Sequence, residues 1–385
     1  MKFAVVGVGT SGLMAAGQIL HKYKEHELDV IYTPNIPIVG IGESTTPEFS
    51  RSLYECIGFS HLEDLEKLKG TIKHAVLHTS WGKDEFLFNF PGHTHSYHID
   101  ALNFKDFMFE KLEEVYGDRF NAITAEVGNV LNEENSVKLE VDGVYREYDY
   151  IFDCRGYPKN PADDEYTYID LLVNKCFVYN EPKGANWGYT KQTWTPNGWM
   201  FSIPLPERVS HGYIFNDRFN TDEEALENFY EILGFKPEPN EIKEFKFISY
   251  YSNNPIENRI IKVGNKGVFF SPLSANSLYL TSMTIKEAFS YINGKINEDF
   301  ANESIKEYYR SIIDLTCLYF KYGPTGGQDS KFWNEAAIIG KERLDKSDMM
   351  QEIIDNRFDI YENGNIYMLS RTVAADLRTK LEELL

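Results

Sequence analysis

The sequence predicts an α/β fold, with a β-α-β unit at the N-terminus, a strand-rich middle and a helical C-terminal part. Three observations carry this. "KFAVVGVGTSGLMAAGQILHKY" passes from a β-branched run through spaced glycines into a helical run, and "LDVIY" follows as a second strand. The middle holds strand and hairpin patterns such as "SVKLEVDGVYREYDYIF" and "NGWMFSIPLP". The last third carries helical runs, "NEDFANESIKEYYRSIIDLTCLYF" and "DLRTKLEELL".

In the first unit Gly7, Gly9 and Gly12 have G-x-G-x-x-G spacing, and a helix is expected from Ser11 to Tyr23. Gly7 would make the tight turn, Gly9 would admit a pyrophosphate, and Gly12 would let helix and strand pack closely. Thr10 and Ser11 open the helix, whose N-terminus favours an anion. A dinucleotide site follows. The acidic residue expected at the end of the second strand is missing, because Tyr32 stands there and Asp29 lies at the strand's start. That disfavours a hydride-carrying NAD enzyme and leaves the ribose contact open. Next, "IPIVGIGESTTPEF" supplies Gly40 and Gly42, then Glu43, Ser44 and Thr45, and a helix with Pro47 at its first position. A second glycine loop suits an isoalloxazine ring lying across the sheet edge.

"TIKHAVL" reads as one mostly apolar strand bearing a single cation, Lys73. Strand lysines usually face water, but apolar neighbours would lower this amine's pKa. Lys83 follows Trp81-Gly82 at an expected turn, and "EFLFNF" reads as an ordinary alternating strand. A hairpin is expected at Asp142-Gly143, returning into "DCRGYP", where Asp153 and Gly156 would close the unit on its cofactor. Trp199 and Phe201 share one strand face, and Ile203-Pro204 should stop that strand or put it on an edge. Such aromatic stripes are usually core. Thr221 caps an amphipathic helix, and "YGPTGGQDSKFWNEA" reads as a loop entering another.

Composition narrows the partners. The chain has 385 residues, 42% of them hydrophobic, enough for a substantial core. A net charge of −20 argues against nucleic acid and anionic membranes. Cys56, Cys154, Cys176 and Cys317 form no CxxC pair, so reduced thiols in a cytoplasmic protein are expected, with no metal site. No apolar run reaches membrane-spanning length, and the N-terminus reads as a strand, not a signal peptide.

With these residues in view, the chain resembles the flavin-dependent halogenases of the tryptophan-halogenase superfamily. "GVGTSG", "GIGESTTP" and "WMFSIP" occur in the family's order, with Phe201 where a second tryptophan is usual. Minor matches include "KGTIKHAVLHTSWGK", "SYHIDALNFKDFM" and "NRIIKVGNKGVFFSPLSANSLYL", so the resemblance spans nearly the whole chain. It implies an FAD-binding monooxygenase-type fold, with a Rossmann-like flavin domain and an interleaved substrate-binding region. The whole chain would be one domain. Flavin parts would lie at about 1–75, 145–165 and 255–295, with substrate-side parts at about 76–144, 166–254 and 296–385. It implies that FADH2 from a separate flavin reductase, with O2, oxidises halide to hypohalous acid, and that a lysine delivers this oxidant to an aromatic substrate. Lys73 matches the lysine. Trp199, Ile203 and Pro204 would lie against flavin and tunnel, keeping organic substrate from the flavin.

Two departures matter. Ser274 replaces the family's glutamate in "SPLSANSLYL", and Asn276 and Ser277 replace its Thr-Gly, although their backbone N–H groups could still hold halide. Glu43 is one carboxylate that could substitute. The family's insertion after the lysine strand is also short here, which implies an open site lined by Phe86, Phe88, Phe90, His93, His95 and Tyr97. Bromination or iodination of broad aromatic substrates is then expected over chlorination. A flavin hydroxylase and a non-catalytic flavin protein are the alternatives. A homo-oligomer is compatible with the sequence.

Overall fold

The computed structural model describes residues 1–347 except 37–40, 82–84, 91, 93, 159–164, 274 and 323–329. Gly40, Lys83, His93, Ser274 and the helix expected in "DLRTKLEELL" lie outside the described residues.

The apolar N-terminal run forms β1 (Phe3–Val6), buried along its whole length. A strand covered on both faces needs such a run. β20 (Ile256–Glu257), β21 (Ile260–Lys262), β12 (Tyr150–Asp153), β1, β2 (Leu28–Tyr32) and β8 (Phe120–Thr124) lie side by side in that order. All neighbours are parallel except β20 and β21. α1 (Thr10–Lys22) connects β1 to β2. Gly7 has φ +107°, and a Cβ on Gly12 would fall on the Gly7 carbonyl oxygen, so only glycine allows this helix–strand approach.

A small antiparallel sheet places β7 (Ser96–Asp100) between β3 (Gly42–Ser44) and β4 (Thr71–Lys73). The single strand expected over "TIKHAVL" is in fact two. The chain leaves this sheet after Lys73, and β5 (Ala75–Thr79) joins another. His74 is the crossing point: its N–H donates to the Gly188 carbonyl at 2.8 Å, and its carbonyl accepts from the Phe90 N–H at 2.9 Å. Continuous hydrophobicity cannot reveal a change of sheet, because both halves are half-buried.

The largest sheet runs β18 (Ile242–Lys246), β14 (Lys175–Glu181), β17 (Val209–Phe215), β16 (Gly198–Pro204), β15 (Tyr189–Thr195), β5, β6 (Phe86–Asn89). β16 carries "WMFSIP" and is central, not an edge. Pro204 does end it, opposite Val209, where a missing N–H costs little ladder bonding. Trp199, Phe201 and Ile203 face the main core, while Met200 joins Tyr213 and Phe215 in a separate cluster with Ala225 and Phe229. Those two come from α4 (Asp222–Leu233), which has the expected Thr221 capping box.

Two further three-stranded sheets join β9 (Val127–Asn132), β10 (Val137–Val141) and β11 (Val144–Tyr148), and β13 (Tyr166–Ile169), β19 (Ser249–Ser252) and β22 (Val268–Phe269). Asp142 and Gly143 both have positive φ, the signature of the expected tight hairpin. α2 (Pro47–Ile57) and α3 (Ala101–Tyr116) flank the small sheet; Asp100 caps α3, accepting from the Leu102 and Asn103 N–H groups. α5 (Ser277–Ile292), α6 (Glu298–Tyr322) and α7 (Lys331–Leu344) form the helical C-terminal part, with α7 tied to β15 by Trp333 Nε1 donating to the Thr195 carbonyl at 2.8 Å. All four cysteines are free, and no described helix is long and apolar enough to cross a membrane.

Candidate active site

The site has two ends separated by the small sheet. The first is the N-terminus of α1. Gly9 is its N-cap, no side chain caps it, and a Cβ on Gly9 would meet nothing within 4 Å. Unsatisfied N–H groups facing open space suit an anion. The Thr10 hydroxyl donates to Glu43 Oε1 at 2.9 Å, and the Ser11 hydroxyl bonds Thr281 Oγ1 at 3.0 Å, so backbone donors are left for a phosphate. Glu43 Oε2 is buried without a hydrogen-bond partner. Burial pushes this carboxyl up to about 7, against the opposing Thr10 bond. A carboxyl poised there can carry a proton and donate to an anion instead of repelling it. These features fit a flavin dinucleotide.

The other flavin-side residues are placed less simply. Asp153 is buried at the end of β12, but both its oxygens are held by Arg155, at 2.9 and 2.7 Å. Gly156 follows with φ +79° and open space at its Cβ position. Asp29 faces away from the α1 N-terminus, bonded to the Tyr148 hydroxyl at 2.7 Å and Asn121 at 2.8 Å. Tyr32 packs on Phe109 and beneath Lys105. Just past the end of β2 stands the carboxylate of Glu126, whose Oε1 accepts from Thr33 at 2.7 Å and Asn35 at 2.9 Å. Sequence reasoning missed it, since it reaches β2 across 93 residues of chain.

The second end is Lys73, only 1% exposed. Its Nζ donates to Ser44 Oγ at 2.7 Å and to the Thr45 carbonyl at 3.0 Å, and stands 4.9 Å from the Phe90 ring centroid. No carboxylate among the described residues pairs with it. Burial brings its amine down to about 7. Thr45 is itself locked, its hydroxyl donating to the Tyr97 carbonyl at 2.6 Å.

Strand register sorts the remaining candidates. Ser44 and Thr71 both pair with His98, and Lys73 pairs with Ser96, so these five side chains share one face of the small sheet. Glu43 and Tyr97 belong to the opposite face. Glu43 therefore serves the α1 end and cannot stand in for the family's glutamate beside Lys73. His95 bonds the Tyr97 hydroxyl at 3.1 Å on that far side too, so neither lines the Lys73 face as a substrate wall. Phe86 and Phe88 point from β6 into the core, the ordinary alternating strand, and Phe90 alone of the described aromatic candidates meets Lys73.

β16 packs against the small sheet at β3 and β4. Trp199 is fully buried with its ring 6.4 Å from that of Phe320 on α6, and Phe201 covers Gly212, where a Cβ would strike its ring. Ile203 closes on Gly42: a Cβ there would lie 3.2 Å from Ile203 Cγ2. The Pro204 carbonyl accepts from Thr71 Oγ1 at 2.8 Å. In the loop before α5, Ala275 has φ +54°, Asn276 is the N-cap with no side-chain cap bond, and Ser277 begins the helix. Gln192 of β15 donates to the Leu273 carbonyl and ties this loop to the large sheet.

The residue profile of the family described as "Tryptophan halogenase" matches residues 2–96 and 91–367. The chain belongs to the tryptophan halogenase family. It is thus an enzyme of the flavin-dependent halogenase class. The tryptophan 7-halogenase RebH of Lentzea aerocolonigenes is 22% identical, with 92% of this chain and 81% of that one covered. The tryptophan 6-halogenase ThaL of Streptomyces albogriseolus is 21% identical, covering 94% and 84%. Among solved structures, a tryptophan halogenase from Shewanella frigidimarina superimposes with a TM-score of 0.79 at 17% identity, covering 100% of this chain and 94% of that one. BrvH, a flavin-dependent halogenase from Brevundimonas sp. BAL3, gives 0.79 at 16% identity, covering 100% and 92%. The α/β fold with its helical C-terminal part is the one these structures share.

Proposed function

We propose that the protein is an FADH2-dependent halogenase of electron-rich aromatic compounds, favouring bromide or iodide over chloride. The observation that carries this is Lys73, a fully buried amine near neutrality with no carboxylate partner among the described residues. Bound FADH2 with O2 would supply the oxidising equivalent that turns halide into hypohalous acid. The Gly7-Gly9-Gly12 turn and the first N–H groups of α1 hold the pyrophosphate, with the Glu43 carboxyl, raised to about 7, beside it. Backbone N–H groups of Asn276 and Ser277 hold halide. Buried Trp199, with Ile203 and Pro204, walls off the flavin side. Lys73, oriented by Ser44 and Thr45, holds the hypohalous acid against the Phe90 side, where the substrate enters. A separate reductase supplies FADH2, and the domain is one, with the flavin and substrate parts interleaved as read from the sequence.

Halide preference follows from the missing glutamate. Bromide and iodide oxidise more easily than chloride, so a site with one activating group loses chlorination first. Lys73→Ala is the test. With a reductase present, halogenated product should vanish while FAD stays bound and reduced flavin is still consumed. Retention of most halogenation would remove Lys73 from the chemistry; a product heavier by one oxygen would favour a hydroxylase.

A further inference from the structure

A continuous polar chain starts at Lys73 and crosses between two sheets. Lys73 Nζ to Ser44 Oγ is 2.7 Å, Ser44 Oγ to Thr190 Oγ1 is 2.7 Å, and Thr190 Oγ1 to His98 Nε2 is 2.9 Å. His98 Nδ1 to Thr71 Oγ1 is 2.9 Å, and Thr71 Oγ1 to the Pro204 carbonyl is 2.8 Å. Ser44, His98 and Thr71 come from the small sheet, and Thr190 comes from β15 of the large one. Lys73, Thr71, His98 and Thr190 are all buried.

The direction of every bond follows from its far end. A carbonyl only accepts, so the Thr71 hydroxyl donates to Pro204 and must accept from His98 Nδ1–H. Burial, and then the charge of Lys73, hold His98 well below the usual imidazole range, so its ring is neutral and Nε2 is an acceptor. The Thr190 hydroxyl then donates to Nε2, the Ser44 hydroxyl to Thr190, and Lys73 to Ser44. Each hydroxyl carries one proton, and with His98 neutral and Lys73 protonated no other assignment satisfies all five contacts.

We propose that His98 is a positioning residue that acts through Lys73, taking its proton along this chain when the amine's lone pair is needed and returning it afterwards. The role rests on the reading of Lys73 as the delivering amine. One proton leaves Nζ for Ser44 Oγ, the Ser44 proton moves to Thr190 Oγ1, and the Thr190 proton moves to His98 Nε2. One positive charge exists before and after, so a buried charge is relocated and none is created; burial makes His98 the weaker base, so the ring holds the proton only while the amine's lone pair is engaged. The other ionisable groups around the row are engaged elsewhere: Asp100 of β7 with Arg208 at 2.8 Å, Glu43 of β3 with Thr10, and His78 of β5 with Tyr319 at 3.0 Å. Lys191, next to Thr190, alternates to the other face of β15.

Imidazole 15N spectra of the cofactor-free protein read the tautomer. Nδ1–H is expected for His98, assigned by its loss in His98→Gln, and Nε2–H would overturn the direction of the chain. Thr190→Val cuts the relay but keeps Lys73 on Ser44 and His98 on Thr71. Supplied with reduced flavin, it should halogenate at least about tenfold more slowly than wild type at about pH 6, where Lys73 is protonated, and approach wild type at about pH 9. Thr190→Ser should restore the profile. A Thr190→Val profile superimposing on wild type would overturn the relay. If the wild-type protein halogenates nothing, the proposed function falls, and the tautomer still decides the direction of the chain.

Discussion

Replacing Lys73 with Met should stabilise the protein, and the gain should shrink as pH rises. Met fills the same volume without a charge. The amine of Lys73 drops from 10.5 in the unfolded chain to about 7 when buried. At about 1.4 kcal/mol per pH unit, burying the ammonium costs about 5 kcal/mol. The sign follows from proton counting. Below about pH 7 both states are protonated and the whole cost is present; between about pH 7 and 10.5 the unfolded state binds more protons, so stability rises with pH. Between about pH 6 and 9 wild type should recover about 3 kcal/mol that Lys73→Met does not. The bonds to Ser44 and Thr45 are lost in the variant at every pH, a constant offset of about 2 kcal/mol that cannot mimic the slope. Urea unfolding of both proteins at about pH 6, 7.5 and 9 measures the gap. A gap independent of pH would mean that Lys73 is an ordinary ammonium, and the chemistry built on it would lose its basis.

Three more outcomes are expected. Gly9→Val should fold normally, since its side chain enters open space, yet lose FAD affinity by fluorescence quenching because that space belongs to the pyrophosphate; near-normal affinity would move the site elsewhere. Gly12→Ala should instead cost about 2 kcal/mol or more, read as a lowered unfolding midpoint, because its Cβ meets the Gly7 carbonyl; an unchanged midpoint would contradict that packing. Across a panel of phenols, azoles and tryptophan in chloride, bromide and iodide, bromide or iodide should give the most product with little preference for tryptophan. Best turnover with chloride and free tryptophan would refute the reading of Ser274 and the short insertion.

Local patterns in the sequence determined a good deal. The glycine spacing, "LDVIY" as β2, Pro47 opening α2, the Asp142-Gly143 hairpin and the Thr221 cap are all present where the chain chemistry put them. Each depends on φ/ψ preference or hydrogen bonding within a few residues, so neighbours suffice to specify it. Lys73 was legible because its neighbours are apolar. What the sequence could not decide was which face each residue of a short strand presents, and to which sheet the strand belongs. Only pairing across the chain put Ser44, His98 and Thr71 in one row, turned Glu43 to the other side, centred "WMFSIP" in its sheet and broke "TIKHAVL" at His74. Alternation assigns side chains to two faces but does not say which is inside. That choice is made by register with partners tens to hundreds of residues away, where a shift of one residue would exchange the two faces and disconnect Lys73 from Ser44.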